Sequence, residues 1–250
     1  MGDYKGSRRD QVYQAGGGGV TGQVQELTAE GIRDLVGRAP VLLEIGCNDG
    51  TDTWLFLDAM PGATIYCFEP DQRAAKRFRA APRSKRVDLF EVAVGDVDGP
   101  AVFYASSGQV PAEQRRPGGP ACLLLDEWDL SGSLRKPTGH LQYSSWTTFP
   151  DDKQCEVEVV RLDTWLEKHS AIDGIDFIWA DVQGAEDALV RGGKVALSKT
   201  RYFYTEFYDT PLYENQVSLA TLQAMLPDFE TLGIYGNNVL FKNRRCCADT

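Results

Sequence analysis

Residues 44–50, near the start of the chain, have the types and the spacing of a nucleotide-binding turn. They follow the apolar run Val41-Leu42-Leu43 and lead into residues 51–55, which have the pattern of a helix. A strand that ends in an acidic residue and passes through two glycines into a helix is typical of such turns, because glycine lets the backbone approach a ligand closely. The candidate ligand-binding residues of this turn are Glu44, Gly46, Asn48 and Gly50.

The two glycines are spaced for a small nucleoside rather than for a dinucleotide. Three residues separate Gly46 from Gly50, whereas dinucleotide enzymes use the pattern G-x-G-x-x-G, whose third glycine is missing here. The sequence therefore argues against a nicotinamide-dependent dehydrogenase. A nucleoside that carries an amino-acid tail, S-adenosylmethionine, suits the shorter turn.

Glu69 supplies a second element of the same site. It follows the β-rich residues 63–68 and lies nineteen residues after Gly50. That distance is close to the roughly twenty residues expected for the acid that closes a βαβ nucleotide site. A carboxylate at this strand end can accept hydrogen bonds from both ribose hydroxyls, and its charge opposes a 2′-phosphate. We therefore expect Glu69 to bind a ribose.

Apolar patterns alternate between strands and helices along the chain. We expect strands at residues 41–45, 64–68, 87–94, 175–180 and 201–207, and a hairpin of residues 229–235 and 239–242. Helices are expected at residues 24–36, 51–59, 71–80, 185–191 and 216–226. This alternation predicts an α/β three-layer sandwich with a seven-stranded, mostly parallel sheet and a C-terminal antiparallel hairpin. It is the Rossmann-like layout of class I methyltransferases.

Two segments break this rhythm. Residues 105–155 are rich in proline and glycine but contain several aromatic residues, so we expect an irregular insertion that serves as a substrate lid. Residues 1–24 contain four consecutive glycines and are expected to form a flexible lead-in. The methyltransferase domain would then span residues 25–245.

Composition and charge limit the classes of partner. The chain has 250 residues, 42% of them hydrophobic, and a formal net charge of −10. Such a surface repels a phosphate backbone, so nucleic acid is a poor candidate substrate. The basic residues between Arg73 and Arg86 are interpreted as a solvated helix face, with an anion or partner contact as the alternative.

The sequence also bears on location. It contains no run of about eighteen apolar residues that could span a membrane, and its first thirty residues lack an apolar signal core. Its six cysteines show no CxxC or Cys/His spacing for zinc. We expect a cytoplasmic protein with reduced thiols and no membrane partner. Its oligomeric state stays open.

With these motifs placed, residues 41–242 resemble the FkbM-type methyltransferases, a family of adenosylmethionine-dependent and mostly O-methylating enzymes. The matching stretches are residues 43–50, 68–70, 92–96 with Gly99, 160–165, 175–186 and 205–207. Two departures stand out: the family usually has glutamate where Gln183 stands, and a smaller residue where Asn215 stands. The first puts a metal or base role for position 183 in doubt.

The resemblance implies roles for the cofactor-site residues. Gly46 and Gly50 would flank the methionine portion of S-adenosylmethionine, with Glu44 and Asn48 nearby to receive its ammonium or to anchor the loop. Glu69 would take the ribose. The residues implied to border the adenine, at the end of the third strand, are Ala93 and Val94. Asp49 is expected to cap the following helix, with Asp52 as partner.

Two carboxylates are the main catalytic candidates. Asp181 follows the fourth strand and Glu206 lies at the end of the fifth, on the edge where open α/β sheets bind ligands. Asp181 could hold the cofactor's ammonium, act as base for an acceptor hydroxyl, or share a Mg²⁺-type ion with Glu206. In the simpler alternative, Asp181 only positions cofactor and Glu206 only bonds backbone.

Two further titratable residues are considered. His140, in the insertion, is a candidate general base, with an exposed loop histidine as the alternative. Glu186 is expected to pair at the start of a helix, where its charge suits the helix dipole.

The sequence therefore predicts an adenosylmethionine-dependent O-methyltransferase that acts on a hydroxyl of a small molecule or sugar. The alternative is a cofactor-binding partner or regulatory protein without transfer activity. The acceptor, and whether its reacting atom is oxygen or nitrogen, stay open.

Overall fold

The computed structural model describes residues 27–81, 84–111 and 127–246 of the chain. The predicted lead-in at residues 1–24 and the middle of the predicted insertion, residues 112–126, lie outside the described residues. Within the described ranges, none of the helices is both long and apolar enough to cross a membrane.

Strands and helices alternate along most of the described chain. The strands are β1 (Val41–Ile45), β2 (Thr64–Phe68), β3 (Val87–Phe90), β4 (Ala93–Gly95), β5 (Gly99–Phe103), β6 (Cys155–Arg161), β7 (Ile175–Ala180), β8 (Thr200–Glu206), β9 (Phe229–Tyr235) and β10 (Asn238–Asn243). The α-helices are Ala29–Val36, Thr51–Ala59, Gln72–Ala80, His140–Tyr143, Leu162–Lys168, Glu186–Gly192, Lys194–Ser198 and Leu219–Met225.

The main sheet contains seven strands in the order β3-β2-β1-β7-β8-β10-β9. The first five of these strands are parallel, and β10 runs antiparallel to both of its neighbours. This confirms the predicted mostly parallel sheet with a C-terminal antiparallel hairpin. The strand order reverses between β1 and β7, and the crevice at such a reversal is where open α/β sheets bind ligands.

The strand register brings four strand ends to one level. Ile45 lies opposite both Phe68 and Ala180, and Ala180 lies opposite Thr205. The residues that follow these four positions therefore meet at one edge of the sheet, and they are Gly46, Glu69, Asp181 and Glu206. The predicted site residues on strand ends are thus brought together by the register alone.

Side chains alternate between the two faces of a strand, and the central strands β1 and β7 are buried on both. On β1, Leu43 and Ile45 enter one apolar cluster, which also contains Trp165 of helix Leu162–Lys168. Leu42 enters the other, with Phe56 of helix Thr51–Ala59. Each such side chain contributes about 1.5–3 kcal/mol when fully buried. Helices therefore cover both faces, as the predicted three-layer sandwich requires.

The predicted third strand, residues 87–94, is wrong as a single element. The chain leaves the main sheet after Phe90, which pairs with Phe68. Residues 93–95 instead pair with residues 159–161 in a separate three-stranded sheet of order β4-β6-β5. This small sheet, whose β5 and β6 were not predicted, carries Ala93 and Val94.

Gly192 fixes the small sheet against the main body of the protein. It is the last residue of helix Glu186–Gly192, and a Cβ atom added there would lie 1.9 Å from the carbonyl oxygen of Gly95 in β4. Backbone atoms cannot yield locally as a flexible side chain can. The close approach of helix and strand therefore requires glycine.

We predict that Gly192→Ala lowers the free energy of unfolding by about 3 kcal/mol, because the added methyl group forces helix and strand apart. Urea denaturation measures this. Gly174→Ala is the control, since a Cβ at Gly174 would lie 3.8 Å from the nearest atom, the carbonyl oxygen of Lys199. Equal losses in the two variants would show that the contact is unimportant.

Candidate active site

The turn after β1 crosses over the end of β2. The amide N–H of Gly46 donates to the carbonyl of Phe68 at 2.8 Å. Gly46, Asn48 and Gly50 all have positive φ, at 87°, 50° and 80°. The two glycines serve different purposes: Gly46 lines the cavity described below, whereas a Cβ at Gly50 would lie 2.6 Å from the ring of Phe78. Gly50 is thus needed for packing.

Glu69 holds two loops together. One carboxylate oxygen accepts the N–H of Asn48 at 2.8 Å, and the other accepts the N–H of Asp71 at 2.7 Å. The residue is 5% exposed and lines the cavity. A carboxylate oxygen can accept more than one hydrogen bond, so a residue in this position can both shape the turn and accept hydroxyl hydrogen bonds from the cavity side.

Glu44 lies under the turn and is not among the residues that line the cavity. Its carboxylate accepts the hydroxyl of Thr53 at 2.5 Å and the thiol of Cys67 at 3.8 Å. Of the two roles implied by the family resemblance, this geometry corresponds to anchoring the loop.

The predicted N-cap at Asp49 is displaced by one residue. Gly50 is the N-cap of helix Thr51–Ala59, and it makes no side-chain cap hydrogen bond. The carboxylate of Asp49 instead accepts the N–H and the hydroxyl of Thr51, at 3.2 and 2.7 Å. One of the free N–H groups at the helix start is therefore still satisfied.

A cavity opens at the edge where the strand ends meet. Its lining includes the predicted residues Gly46, Glu69, Ala93, Val94 and Asp181. It measures about 500 Å³ with its open mouth counted.

The insertion forms the opposite wall of this cavity, with Asp129, Leu130, Gly132, Ser133 and Leu134. Sequence reasoning did not select these residues. The available signal was the aromatic content of the insertion: Trp128 and Trp146 pack edge to face, with ring centroids 4.9 Å apart. This packing joins two described parts of the insertion.

Two ion pairs fasten the insertion to helix Gln72–Ala80. Arg77 contacts Asp129 at 2.5 Å, and Arg73 contacts Glu127 at 3.3 Å. Burial raises the pKa of Asp129, although the charge of Arg77 opposes that rise. The prediction of a solvated helix face therefore does not hold for these two arginines, because they contact another part of the same chain.

Gln183 joins the two predicted catalytic carboxylates. Its side-chain Nε2 donates to Asp181 Oδ1 at 2.6 Å and to Glu206 Oε2 at 3.1 Å. The hydroxyl of Tyr208 donates to the other oxygen of Glu206 at 2.6 Å. Asp181 lines the cavity, whereas Glu206, 4% exposed, lies behind it.

These donors do not fit the predicted Mg²⁺ site at Asp181 and Glu206. An amide N–H group between two carboxylates occupies the place that a cation would need, and it supplies hydrogen atoms where a metal requires oxygen lone pairs. Across residues 27–81, 84–111 and 127–246, no three His, Cys, Asp or Glu side chains are grouped to hold a metal ion.

His140 is buried rather than exposed. It is 3% exposed and packs edge to face on Phe149 and Tyr213, with centroid distances of 5.0 and 4.7 Å. Within the described residues neither ring nitrogen has a hydrogen-bond partner. Burial lowers the pKa of His140 to about 4, so the ring is neutral at neutral pH. It is not among the residues that line the cavity.

Glu186 is buried at the first turn of helix Glu186–Gly192. Its carboxylate accepts the N–H of Gly184 at 3.1 Å. Burial raises the pKa of Glu186 to about 7, with a smaller contribution from the charge of Asp181. A cavity-lining and a buried carboxylate are thus close enough to influence each other.

We predict that Glu186→Gln changes how stability depends on pH. The pKa of Glu186 is raised in the folded state, so its contribution is fully present below pH 4.5 and is lost as pH rises through about 7. Glutamine keeps an acceptor for Gly184 but cannot ionise. Relative to wild type, the variant should gain about 3 kcal/mol between these limits.

Urea denaturation of both proteins from about pH 4 to about pH 8 measures this difference. A stability difference that stays constant over this range would contradict the raised pKa.

Comparison with known proteins bears on this geometry. A family model described as "Methyltransferase FkbM domain" matches residues 44–233. The chain is 43% identical over 213 residues to the 2-O-methyltransferase NoeI of Sinorhizobium fredii (strain NBRC 101917 / NGR234), with 82% of this chain and 80% of that protein covered.

Two solved structures show a more distant similarity. An rRNA methylase from Streptococcus thermophilus has a TM-score of 0.45 and 8% identity, with 90% of this chain and 99% of that chain covered. The N-terminal domain of EvdMO1, solved in the presence of SAH and D-fucose, has a TM-score of 0.42 and 12% identity, with 95% and 94% covered.

Proposed function

The chain belongs to the FkbM methyltransferase family, and on that premise we propose that it transfers the methyl group of S-adenosylmethionine to a hydroxyl oxygen of a small molecule or sugar. The observation that carries the proposal is the cavity at the sheet edge, lined by Gly46, Glu69 and Asp181 from three strand ends. The relative named a 2-O-methyltransferase supports oxygen as the acceptor atom.

The residues around the cavity fit the parts of this cofactor. Gly46 leaves room for the methionine portion, and Asn48 belongs to the same turn. Glu69 is assigned to the ribose hydroxyls. The apolar side chains of Ala93 and Val94 are assigned to the adenine. When bound, S-adenosylmethionine supplies a methyl group on a positively charged sulfur.

Asp181 is the proposed general base, because it lines the cavity and its carboxylate is already oriented by Gln183. The acceptor oxygen forms a bond to the methyl carbon while the carbon–sulfur bond breaks, and the electron pair of that bond stays on sulfur. The hydroxyl proton passes to the Asp181 carboxylate. Glu206 holds the opposite end of the amide bridge, which keeps Asp181 in place.

The wall formed by the insertion serves to exclude water. Residues 129–134 face the strand ends across the cavity and are held there by the Arg77–Asp129 ion pair. Methyl transfer needs an aligned acceptor and a dry site, since the protein's main contribution is positioning. The acceptor's class would then be selected by this wall.

His140 is the second candidate base, supported by its two ring nitrogens, which find no hydrogen-bond partner in the part of the chain that the structure describes. Asp181 is preferred because it reaches the cavity directly. His140 stands one aromatic ring away, behind Tyr213, whose hydroxyl donates to Gln183.

Net charge and cysteine chemistry support the proposed class of acceptor and the proposed location. The net charge of −10 supports a small acceptor rather than nucleic acid. A cytoplasmic location is supported by the thiols of Cys47, Cys67 and Cys155, which form no disulfide within the described ranges.

We predict that Asp181→Asn lowers kcat by about 100-fold or more while the Kd for S-adenosylmethionine changes little, because asparagine keeps the side-chain shape but cannot take the proton. Release of S-adenosylhomocysteine on a panel of sugars and polyols measures transfer, and titration calorimetry measures binding. Asp173→Asn is the matched control, an exposed residue two positions before β7 begins.

The outcomes separate the alternatives. Weaker binding with an unchanged saturated rate would assign Asp181 to the cofactor's ammonium instead of the acceptor proton. Tight binding without transfer to any acceptor by the wild-type protein would favour the cofactor-binding protein without transfer activity.

A further inference from the structure

We infer that Gln183 is a positioning residue whose side-chain amide bridges Asp181 and Glu206 in place of a divalent cation, so that this carboxylate pair works without metal. The catalytic part of this inference rests on the proposed function; the cation part does not. An amide in this place, instead of a carboxylate, gives the bridge its chemistry.

The contacts of Gln183 hold the bridge in place. Besides its two bonds to carboxylates, its Oε1 accepts the hydroxyl of Tyr213 at 2.7 Å, and its backbone carbonyl accepts the hydroxyl of Ser133 at 2.7 Å. The residue is 3% exposed. Both ends of the amide therefore have partners in a buried site, where an unsatisfied polar atom is costly.

The negative charge of the two carboxylates determines which end of the Gln183 side-chain amide faces them. In the opposite orientation, Oε1 would face oxygens of Asp181 and Glu206, and three acceptors would meet without a hydrogen atom between them. The observed orientation gives each carboxylate an N–H donor. The Tyr213 hydroxyl has two acceptors within hydrogen-bond distance, the carbonyl oxygen of Ser131 at 2.9 Å and Gln183 Oε1 at 2.7 Å, and it can donate to either.

The backbone around the bridge is held in an uncommon conformation. Gln183 has a φ of 52° and Gly184 a φ of 90°. A Cβ at Gly184 would lie 2.6 Å from the ring of Tyr213, so this ring packs directly on the glycine. Positive φ at a residue other than glycine persists where the surroundings require it, and such residues cluster at functional sites.

The balance of charge explains why an amide suits this position. Asp181, Glu206 and Glu186 lie near one another, and the charge of Asp181 already disfavours ionisation of Glu186. A fourth carboxylate at position 183 would add repulsion, which a divalent cation would have to offset. The neutral amide of Gln183, with the Tyr208 hydroxyl on Glu206, donates hydrogen bonds and adds no charge.

The test is to convert the bridge into a metal-type ligand set with Gln183→Glu. Thermal unfolding of wild type and variant is followed in EDTA and in millimolar Mg²⁺ or Ca²⁺. We expect the wild-type midpoint to be unchanged by cation. The variant should unfold at lower temperature in EDTA and recover by about 3 °C or more with cation.

Gln223→Glu is the matched control, since it adds the same charge at an exposed glutamine on helix Leu219–Met225 and should show no cation response. Cation stabilisation of the wild-type protein, or no cation response in Gln183→Glu, would overturn the inference. Both readouts are independent of transfer, so they hold even if the proposed acceptor chemistry fails.

A second variant covers the case in which Gln183→Glu does not fold. Gln183→Met keeps the length of the side chain but removes the amide. If Gln183 positions Asp181 for proton transfer, Gln183→Met lowers kcat by about tenfold or more while the Kd for S-adenosylmethionine changes little. Equal losses of kcat and of cofactor binding would show a merely structural residue and overturn the positioning role.

Discussion

The site depends on one buried carboxylate, that of Glu69, which joins loops from two neighbouring strands. One oxygen accepts the N–H of Asn48 after β1, and the other accepts the N–H of Asp71 before helix Gln72–Ala80. Hydrogen bonds to a charged acceptor are roughly twice as strong as neutral ones. The turn that faces the cavity is therefore fixed by a residue that itself lines the cavity and is proposed to bind the ribose.

On the β7 side of the site, an uncharged amide, that of Gln183, donates the hydrogen bonds that hold the carboxylates in place. After β7 the chain enters two positive-φ residues, and the Gln183 amide is thereby placed between carboxylates from two strand ends. Charged groups would otherwise repel at this edge, since the parallel strands end level with one another. The β1 side of the crevice is thus built around an anion that accepts hydrogen bonds, and the β7 side around an amide that donates them.

The sequence predicts the parts of the molecule whose causes are local. Strands β1, β2 and β7 have the predicted bounds, because each is a short buried apolar run between turn residues. Strand β6 was missed although Val157 and Val159, buried, alternate with exposed Glu156 and Glu158, a period-two signal. The contact of Arg77 with Asp129 has no such signal. It joins residues 52 positions apart across an irregular segment, so only the folded chain shows it.

The wall built from residues 129–134 bears on both the shape of the cavity and the surface it presents. It closes one side of the cavity at the sheet edge, and the ion pairs to Arg73 and Arg77 join it to helix Gln72–Ala80. Under the proposed function, the same residues present the surface that an acceptor meets. A sequence change that adapts this wall to a new acceptor would then also alter one side of the space proposed for the cofactor.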